Sequence, residues 1–434
     1  MLLVYSHKIT PRLKYTFKQI CTRILGIPVI FTTKVEDFIA HKSLKMSYTN
    51  QPLANEFHVK SHRILFEQGL SDIEINVHDW EDSKCFFLTN DKSSLPYDIF
   101  AATFYLISRY EEYLPHVKDE YGRYIVTESI AYNNGFLKKP VVDIWAIKFR
   151  SALKAKFPDF KFPERNYNVQ PIIDVPISHS FKLKGIMRTI GGTIKDIFRF
   201  KFSHLYQRYA VLFGFIKDPF NTFSYIINKQ KHSKSKFIVF FLIADYSTYD
   251  KNININKSEF QSLIKSVGDY SNVGLKASYL SIKDSQLLKK EKSVMESIIN
   301  TDLKVTRFSH NKFILPESYR HLIDLEVSED YSMGYLNNNG FRAGTCTPFL
   351  FYDLDYEIQT PLRICPFHVI DFALLKKASL LDKKQELQSI IDEVKKVQGT
   401  FTSIFHNYTF SNDARWSGFK ELFNLILESQ DEVN

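Results

Sequence analysis

The chain reads as an α/β protein: a smaller α+β unit over residues 1–165, then the parallel barrel or open sheet of an α/β class over 166–434. Three observations predict it. Beyond Val169, short apolar runs alternate with stretches of helical spacing. The eight apolar residues Phe237–Ala244 are too few to span a bilayer but suit a strand buried on both faces. The polar segment Lys161-Phe-Pro-Glu-Arg-Asn-Tyr-Asn168 separates the two patterns and marks the boundary.

In chain order, Met1-Leu-Leu-Val-Tyr-Ser-His-Lys8 has too short an apolar run for a secretory leader and no small-residue cleavage site, so it reads as a first strand. Ile73–Val77 and Cys85–Leu88 read as further strands. Tyr97–Tyr113 spaces its apolar residues as a core helix, and Pro140–Phe157 is a second helix, bounded by prolines at 140 and 158. The alternation then runs through Ile172-Ile173, Ile194–Tyr209, Phe237–Ala244, Ser258–Ser266, Gly274–Tyr279 and Leu287–Ile299. It continues with Val305-Thr306, Glu317–Leu325, Arg363-Ile364, Gln385–Val397 and Thr402–Phe405.

With 44% hydrophobic residues, 38 Phe and 24 Tyr, the chain can build large cores, and disorder is excluded. Only 15 Gly and 15 Pro are present, without linkers or an internal repeat. The formal net charge of +9 reflects solvating surface lysines or a preference for anionic partners. No nucleic-acid motif accompanies it, so nucleic acid is not an expected partner. The basic stretch 181–208 is a candidate surface for peripheral membrane or acidic-glycan contact, with a solvated helix face as the plainer reading. Cys21, Cys85, Cys346 and Cys365 form no Cys-x-x-Cys pair, which argues against a zinc knuckle or a redox motif. Reduced, buried thiols in a cytoplasmic protein are expected.

The candidate chemistry sits just after predicted strands: Asp174, Asp245, the 276–279 region, Ser309 and His310, Arg342 and His406. In a parallel barrel that is the end where functional groups gather. A carboxylate such as Asp174 can act as a general base, and His406 can donate a proton near neutral pH. Arg342, between small residues, can hold a carboxylate or substrate oxygens. His58 and His62 stand four apart as helical metal ligands would, but the alternation of Phe57, Val59, Ile64 and Phe66 makes that spacing coincidental. Trp416 suits a sugar platform or core packing equally. There is no Gly-rich phosphate loop, nucleophile elbow or His-Glu-x-x-His motif.

Several segments carry a resemblance: Asp98–Tyr113, Tyr121-Gly-Arg123, Pro140-Val-Val-Asp143, Asp218-Pro-Phe220, Tyr249-Asp-Lys-Asn-Ile253, Asp330-Tyr-Ser-Met-Gly-Tyr335, Gly340-Phe-Arg-Ala-Gly-Thr345 and Phe405-His-Asn407. Together they resemble the polysaccharide deacetylase family (carbohydrate esterase family 4, NodB-homology), in a Bacteroidetes-type branch with an extra N-terminal domain. The resemblance implies a deacetylase-like (β/α) barrel and a metal-dependent hydrolase acting on carbohydrate or a glycan precursor. It assigns Asp174 as base, Arg342 as the base's support and His406 as acid, with a divalent metal polarising the acetyl carbonyl.

The metal ligands depart from the family pattern. Pro176, Lys276 and Ser309 stand at the expected ligand positions, in Asp174-Val-Pro176, Gly274-Leu-Lys-Ala-Ser-Tyr279 and Arg307-Phe-Ser309. Proline offers no side-chain ligand, lysine repels a cation and a serine hydroxyl is a poor zinc ligand. The expectation is a degenerate metal site with no cofactor, in a carbohydrate-binding pseudoenzyme of bacterial surface-polysaccharide metabolism. Lys276 would then stand where the cation's charge was, able to bind an anionic group or an oxyanion. The alternative is an active deacetylase holding zinc or another divalent ion through substitutes such as His179 and His310, beside Asp174 and His406. In a third reading the protein is purely structural and its N-terminal domain is the active partner surface.

Overall fold

The computed structural model describes residues 1–431. The first strands form a parallel four-stranded sheet of β1 (Leu2–Tyr5), β2 (Val29–Thr32), β3 (Lys45–Thr49) and β4 (Phe57–Lys60), in the order β2-β1-β3-β4. The sequence predicts β1, and the alternation of Phe57 and Val59 falls on β4. The predicted strand Ile73–Val77 has no regular structure: Ile73, Ile75 and Val77 do face the core in alternation, but no neighbouring strand pairs with them. The hairpin next to it joins β5 (His78–Trp80) to β6 (Ser83–Cys85). The strand predicted over 85–88 ends early because Phe87 turns into the left-handed region at φ 64°.

The expected core helix is Ile99–Ile107, buried on every side. Asp98 caps it, accepting from the amides of Phe100 and Ala101. Arg109, at φ 56°, breaks it before the short helix Tyr110–Tyr113. Helix Val141–Lys156 brings Asp143 fully into the interior. There the carboxylate accepts from Thr345 Oγ1 at 2.6 Å, from the Cys346 amide at 2.9 Å, from Thr347 Oγ1 and from Arg165 at 3.2 Å.

From Asn168 the chain builds a nine-stranded sheet. Its strands are β7 (Asn168–Val175), β8 (Ile238–Leu242), β9 (Asn272–Ala277), β10 (Val305–Phe308) and β11 (Glu329–Asp330). They are followed by β12 (Phe349–Asp353), β13 (Ile358–Ile364), β14 (Val369–Ile370) and β15 (Thr400–His406). The order is β12-β13-β11-β10-β9-β8-β7-β15-β14, and every pairing is parallel except β12 with β13. Crossover helices such as Ser258–Gly268, Ser285–Ile299 and Leu380–Lys396 lie where the sequence placed them. The segment read as one helix over 194–209 is two, Ile186–Phe198 and Phe202–Leu212.

Side-chain alternation sends Ile173, Val239 and Phe405 to a main core that also takes in the N-terminal elements. Ile172, Phe240 and Ile404 face inward to a second cluster, with Tyr331, Cys365 and Phe367 from strands farther along the order. The sheet therefore curls around its inner face. All four cysteines are free and buried. Among the described residues, no helix is long and apolar enough to cross a membrane.

Because Asp143 joins helix Val141–Lys156 to the Thr345–Thr347 strap, Asp143→Ala should lower unfolding stability by about 3 kcal/mol in urea titrations.

Candidate functional site

The parallel register sets the site. His406 on β15 lies opposite Asp174 on β7, and Lys276 on β9 lies opposite Arg307 on β10. These four side chains form a polar layer above the inner apolar cluster. Phe240 sits beneath them over Gly274, where an added Cβ would come within 2.4 Å of its ring, so glycine is required there. Above the layer opens a cavity of about 600 Å³, also lined by Pro176, Ser309, His310, Asn337, Phe372 and Tyr408.

Asp174 is fully buried. Its Oδ2 accepts from Lys276 Nζ at 2.5 Å and from Arg307 Nε at 3.0 Å, and His406 Nε2 stands 3.6 Å away. Its Oδ1 has no hydrogen-bond partner. Burial alone would raise the acid's pKa, but Lys276, Arg307 and His406 outweigh it and hold the carboxyl well below the usual range. Burial depresses the Lys276 pKa, opposed by its pairing with Asp174. Arg307 is fixed by donating to the Tyr331 carbonyl at 2.7 Å and by lying over the Phe367 ring at 4.8 Å.

His406 is oriented by Asp371, which the sequence reading missed. The Asp371 carboxylate accepts from the His406 amide at 2.7 Å and lies 2.9 Å from Nδ1. That leaves Nε2 facing Asp174. Tyr408 stacks on the imidazole at 5.1 Å and Phe372 meets it edge-on at 4.8 Å. Trp416 packs behind both rings. The available signal for Asp371 was an acid directly after the apolar pair Val369-Ile370. Asp250 was also missed as a site residue; it accepts from Ser309 Oγ at 2.9 Å and from the Tyr279 amide at 2.8 Å.

His310 lines the cavity, 3.2 Å from the Tyr249 carbonyl and 3.9 Å from Asp250, and burial lowers its pKa. His179 is turned to Ser178 at 3.0 Å and is not part of the cavity wall. Asp245 is exposed and pairs with Lys290 at 3.5 Å. His58 bonds Ser47 at 2.9 Å, whereas His62 caps the short turn at Arg63–Leu65.

Arg342 points away from Asp174. It grips Glu112 through Nε at 2.9 Å and Nη2 at 2.6 Å, while Nη1 donates to the Gly334 carbonyl at 3.1 Å. Arg109 shares the same Glu112 and donates to the Arg342 carbonyl. Burial opposes ionisation of Glu112, but Arg342 and Arg109 bring its pKa down to about 2. The guanidinium beside Asp174 belongs to Arg307.

At the expected metal positions the donor chemistry does not fit a divalent ion. Pro176 has no donor, the Lys276 ammonium is spent on Asp174, and the Ser309 hydroxyl donates to Asp250. Among the described residues, no group of three His, Cys, Asp or Glu side chains is arranged to hold a metal. What remains is an Asp–His pair able to hold a proton at Nε2, beside two cations that share one carboxylate.

A family of unknown function (DUF7033) matches residues 2–158. No curated protein matches the chain. Among solved structures, a Mycobacterium smegmatis protein assigned as a polysaccharide deacetylase aligns at 8% identity and TM-score 0.38, over 63% of this chain and 92% of its own. A carbohydrate esterase family 4 pseudoenzyme from Bacillus anthracis aligns at 11% identity and TM-score 0.29, over 62% of this chain and 61% of its own. A polysaccharide deacetylase from Bacillus cereus aligns at 11% identity and TM-score 0.29, over 62% and 88%. These alignments are too distant to carry a functional argument.

Lys276→Met should cost about 2–3 kcal/mol of stability at neutral pH, since it removes one partner of a buried pair. The Asp174 pKa is depressed, so its contribution is present above the ordinary carboxylate range and lost as pH falls through the lowered value. The gap between variant and wild type should therefore narrow below roughly pH 4 in denaturation series. Arg342→Met should destabilise by about 3–5 kcal/mol, by leaving Glu112 buried and short of a partner, without altering the titration of Asp174 followed by carboxyl NMR.

Proposed function

We propose that residues 166–434 form a deacetylase-like (β/α) barrel, braced by a separate α+β domain over 1–165, that binds a carbohydrate or glycan precursor without hydrolysing it. This is the role of a metal-free pseudoenzyme in the cytoplasmic part of bacterial surface-polysaccharide metabolism. The observation that carries the reading is the buried contact of Lys276 with Asp174, reinforced by Arg307. A deacetylase needs a carboxylate that can take a proton from water. A carboxylate neutralised by two cations and held far below the usual range is a weak base at neutral pH. The same cations, with His406, favour an anionic group at the cavity floor. Tyr408 and Phe372 offer flat faces to a sugar ring, and Asn311 and Asn337 offer amides to hydroxyls.

The intact Asp371–His406 pair favours one second reading, an active deacetylase that recruits zinc through Asp174, His406 and the nearby His310, with His179 swinging in. Two measurements separate the readings. Isothermal titration with acidic and neutral bacterial glycan fragments should show binding that Lys276→Ala weakens by roughly tenfold, in line with loss of a charge-assisted bond. Assays for acetate release from acetylated sugars should give no more than buffer does. A stoichiometric zinc with acetate release would establish the second reading, and absence of binding to any glycan would remove the first.

A further inference from the structure

Between β7 and β8 the chain leaves the sheet as a helical hairpin, Ile186–Phe198 and Phe202–Leu212. Its surface is unlike the rest of the molecule. On the first helix, Ile186, Ile190, Ile194 and Ile197 form an exposed stripe at helical spacing. On the second, Phe202, Tyr206, Tyr209 and Phe213 do the same. Phe198, Phe200 and Phe215 extend the ridge at the tip and exit, 79%, 79% and 80% exposed. Helices rooted in a globular protein normally turn such a stripe to the core; these turn it to solvent.

The charge is equally uneven. Residues 181–217 contain eight Lys or Arg and one acid, Asp196, a net +7 out of the chain's +9. Asp196 is neutralised within the hairpin by Arg208 at 2.6 Å and His204 at 2.8 Å. The cations gather around a cavity of about 550 Å³ lined by Lys184, Arg188, Lys195, Arg199, Lys201 and Arg208. Burial, added to by the neighbouring Arg188, brings the Lys184 pKa down to about 8.

The hairpin is rooted at the proposed site. The Asp218 carboxylate accepts from the amides of Ser180, Phe181 and Lys182 at 2.7 to 3.0 Å, tying the two ends of the insertion together. Asn407, next to His406, donates to the carbonyls of Ile177 and Phe220. The insertion thus leaves from the sheet end that carries Asp174 and His406.

We propose that this hairpin is an interfacial anchor for an anionic lipid bilayer: the Ile and Phe ridge enters the acyl boundary while the basic cavity takes lipid phosphate. An apolar face fringed by Lys and Arg is the pattern of a helix lying in the membrane surface. A second copy of this chain is the poorer occupant, because a symmetric contact would oppose two faces of net +7. The docking brings the mouth of the Asp174 cavity toward the lipid surface. It does not depend on the carbohydrate reading, and its test can fail without touching that reading.

The test is co-sedimentation of the full chain with vesicles of phosphatidylcholine alone and of phosphatidylcholine mixed with phosphatidylglycerol. The expected result is binding to the anionic vesicles, weak binding to the neutral ones, and release by added salt. Phe198→Ser with Phe213→Ser and Phe215→Ser should weaken anionic binding by roughly tenfold or more, with circular dichroism and melting unchanged. Lys195→Gln with Arg199→Gln should weaken it several-fold and reduce the salt dependence, which keeps the test decisive if the first variant misfolds. Three outcomes overturn the proposal: no binding to anionic vesicles, binding that both variants retain in full, or a dimer in light scattering that the phenylalanine variant dissolves while vesicles are ignored.

Discussion

A buried carboxylate pinned between an ammonium and a guanidinium governs what this fold can do. Removing Asp174, Lys276 and Arg307 from water is costly, and the cost is recovered only through their mutual contacts and the Tyr331 carbonyl that holds Arg307. Two cations face one carboxylate, so the cluster keeps an excess of positive charge, and Asp174 Oδ1 is buried without a hydrogen-bond partner among the described residues. The cluster ties the polar ends of β7, β9 and β10 together and holds the Asp174 carboxyl well below the usual range. On the proposed reading, the contact that holds these strands together is also the one that keeps the carboxylate from acting as a base.

The second lock lies between the N-terminal elements and the large sheet. Glu112 accepts from both Arg342 and Arg109, and Asp143 binds the strap at 345–347. The conspicuous Gly340–Thr345 segment is explained by these contacts. Gly340, at φ 139°, places its α-carbon against the Leu137 carbonyl, which a side chain would strike at 2.5 Å. Residues 1–165 thereby brace the rim of the site, and one apolar cluster runs through both parts.

Much of this was legible in the sequence, in ways that follow from physics. The helix Ser285–Ile299 declared itself because one period runs through all 15 residues, and the strand Ile238–Leu242 because its whole run is apolar. The strand-end positions of Asp174 and His406 followed from the alternation, whereas Lys276 stood out through the family resemblance. The strands β2 and β3 escaped because each is only four or five residues long with mixed polarity. Ile73–Val77 misled because alternation reports burial of one face, not the presence of a pairing partner. Arg307 and Asp371 escaped because their importance is a matter of register across strands and of a short helix turning back, neither of which is written locally. For Arg342 the family resemblance implied one carboxylate partner, Asp174, and the fold supplies another, Glu112.

Whether the Lys276 ammonium stands where a divalent cation would sit can be read from crystals grown with excess zinc and measured at the zinc absorption edge. No anomalous peak is expected among Asp174, Ser309, His310 and His406, and Lys276 Nζ should remain in contact with the Asp174 carboxylate. A strong peak bound to Asp174, with Lys276 displaced, would contradict that placement.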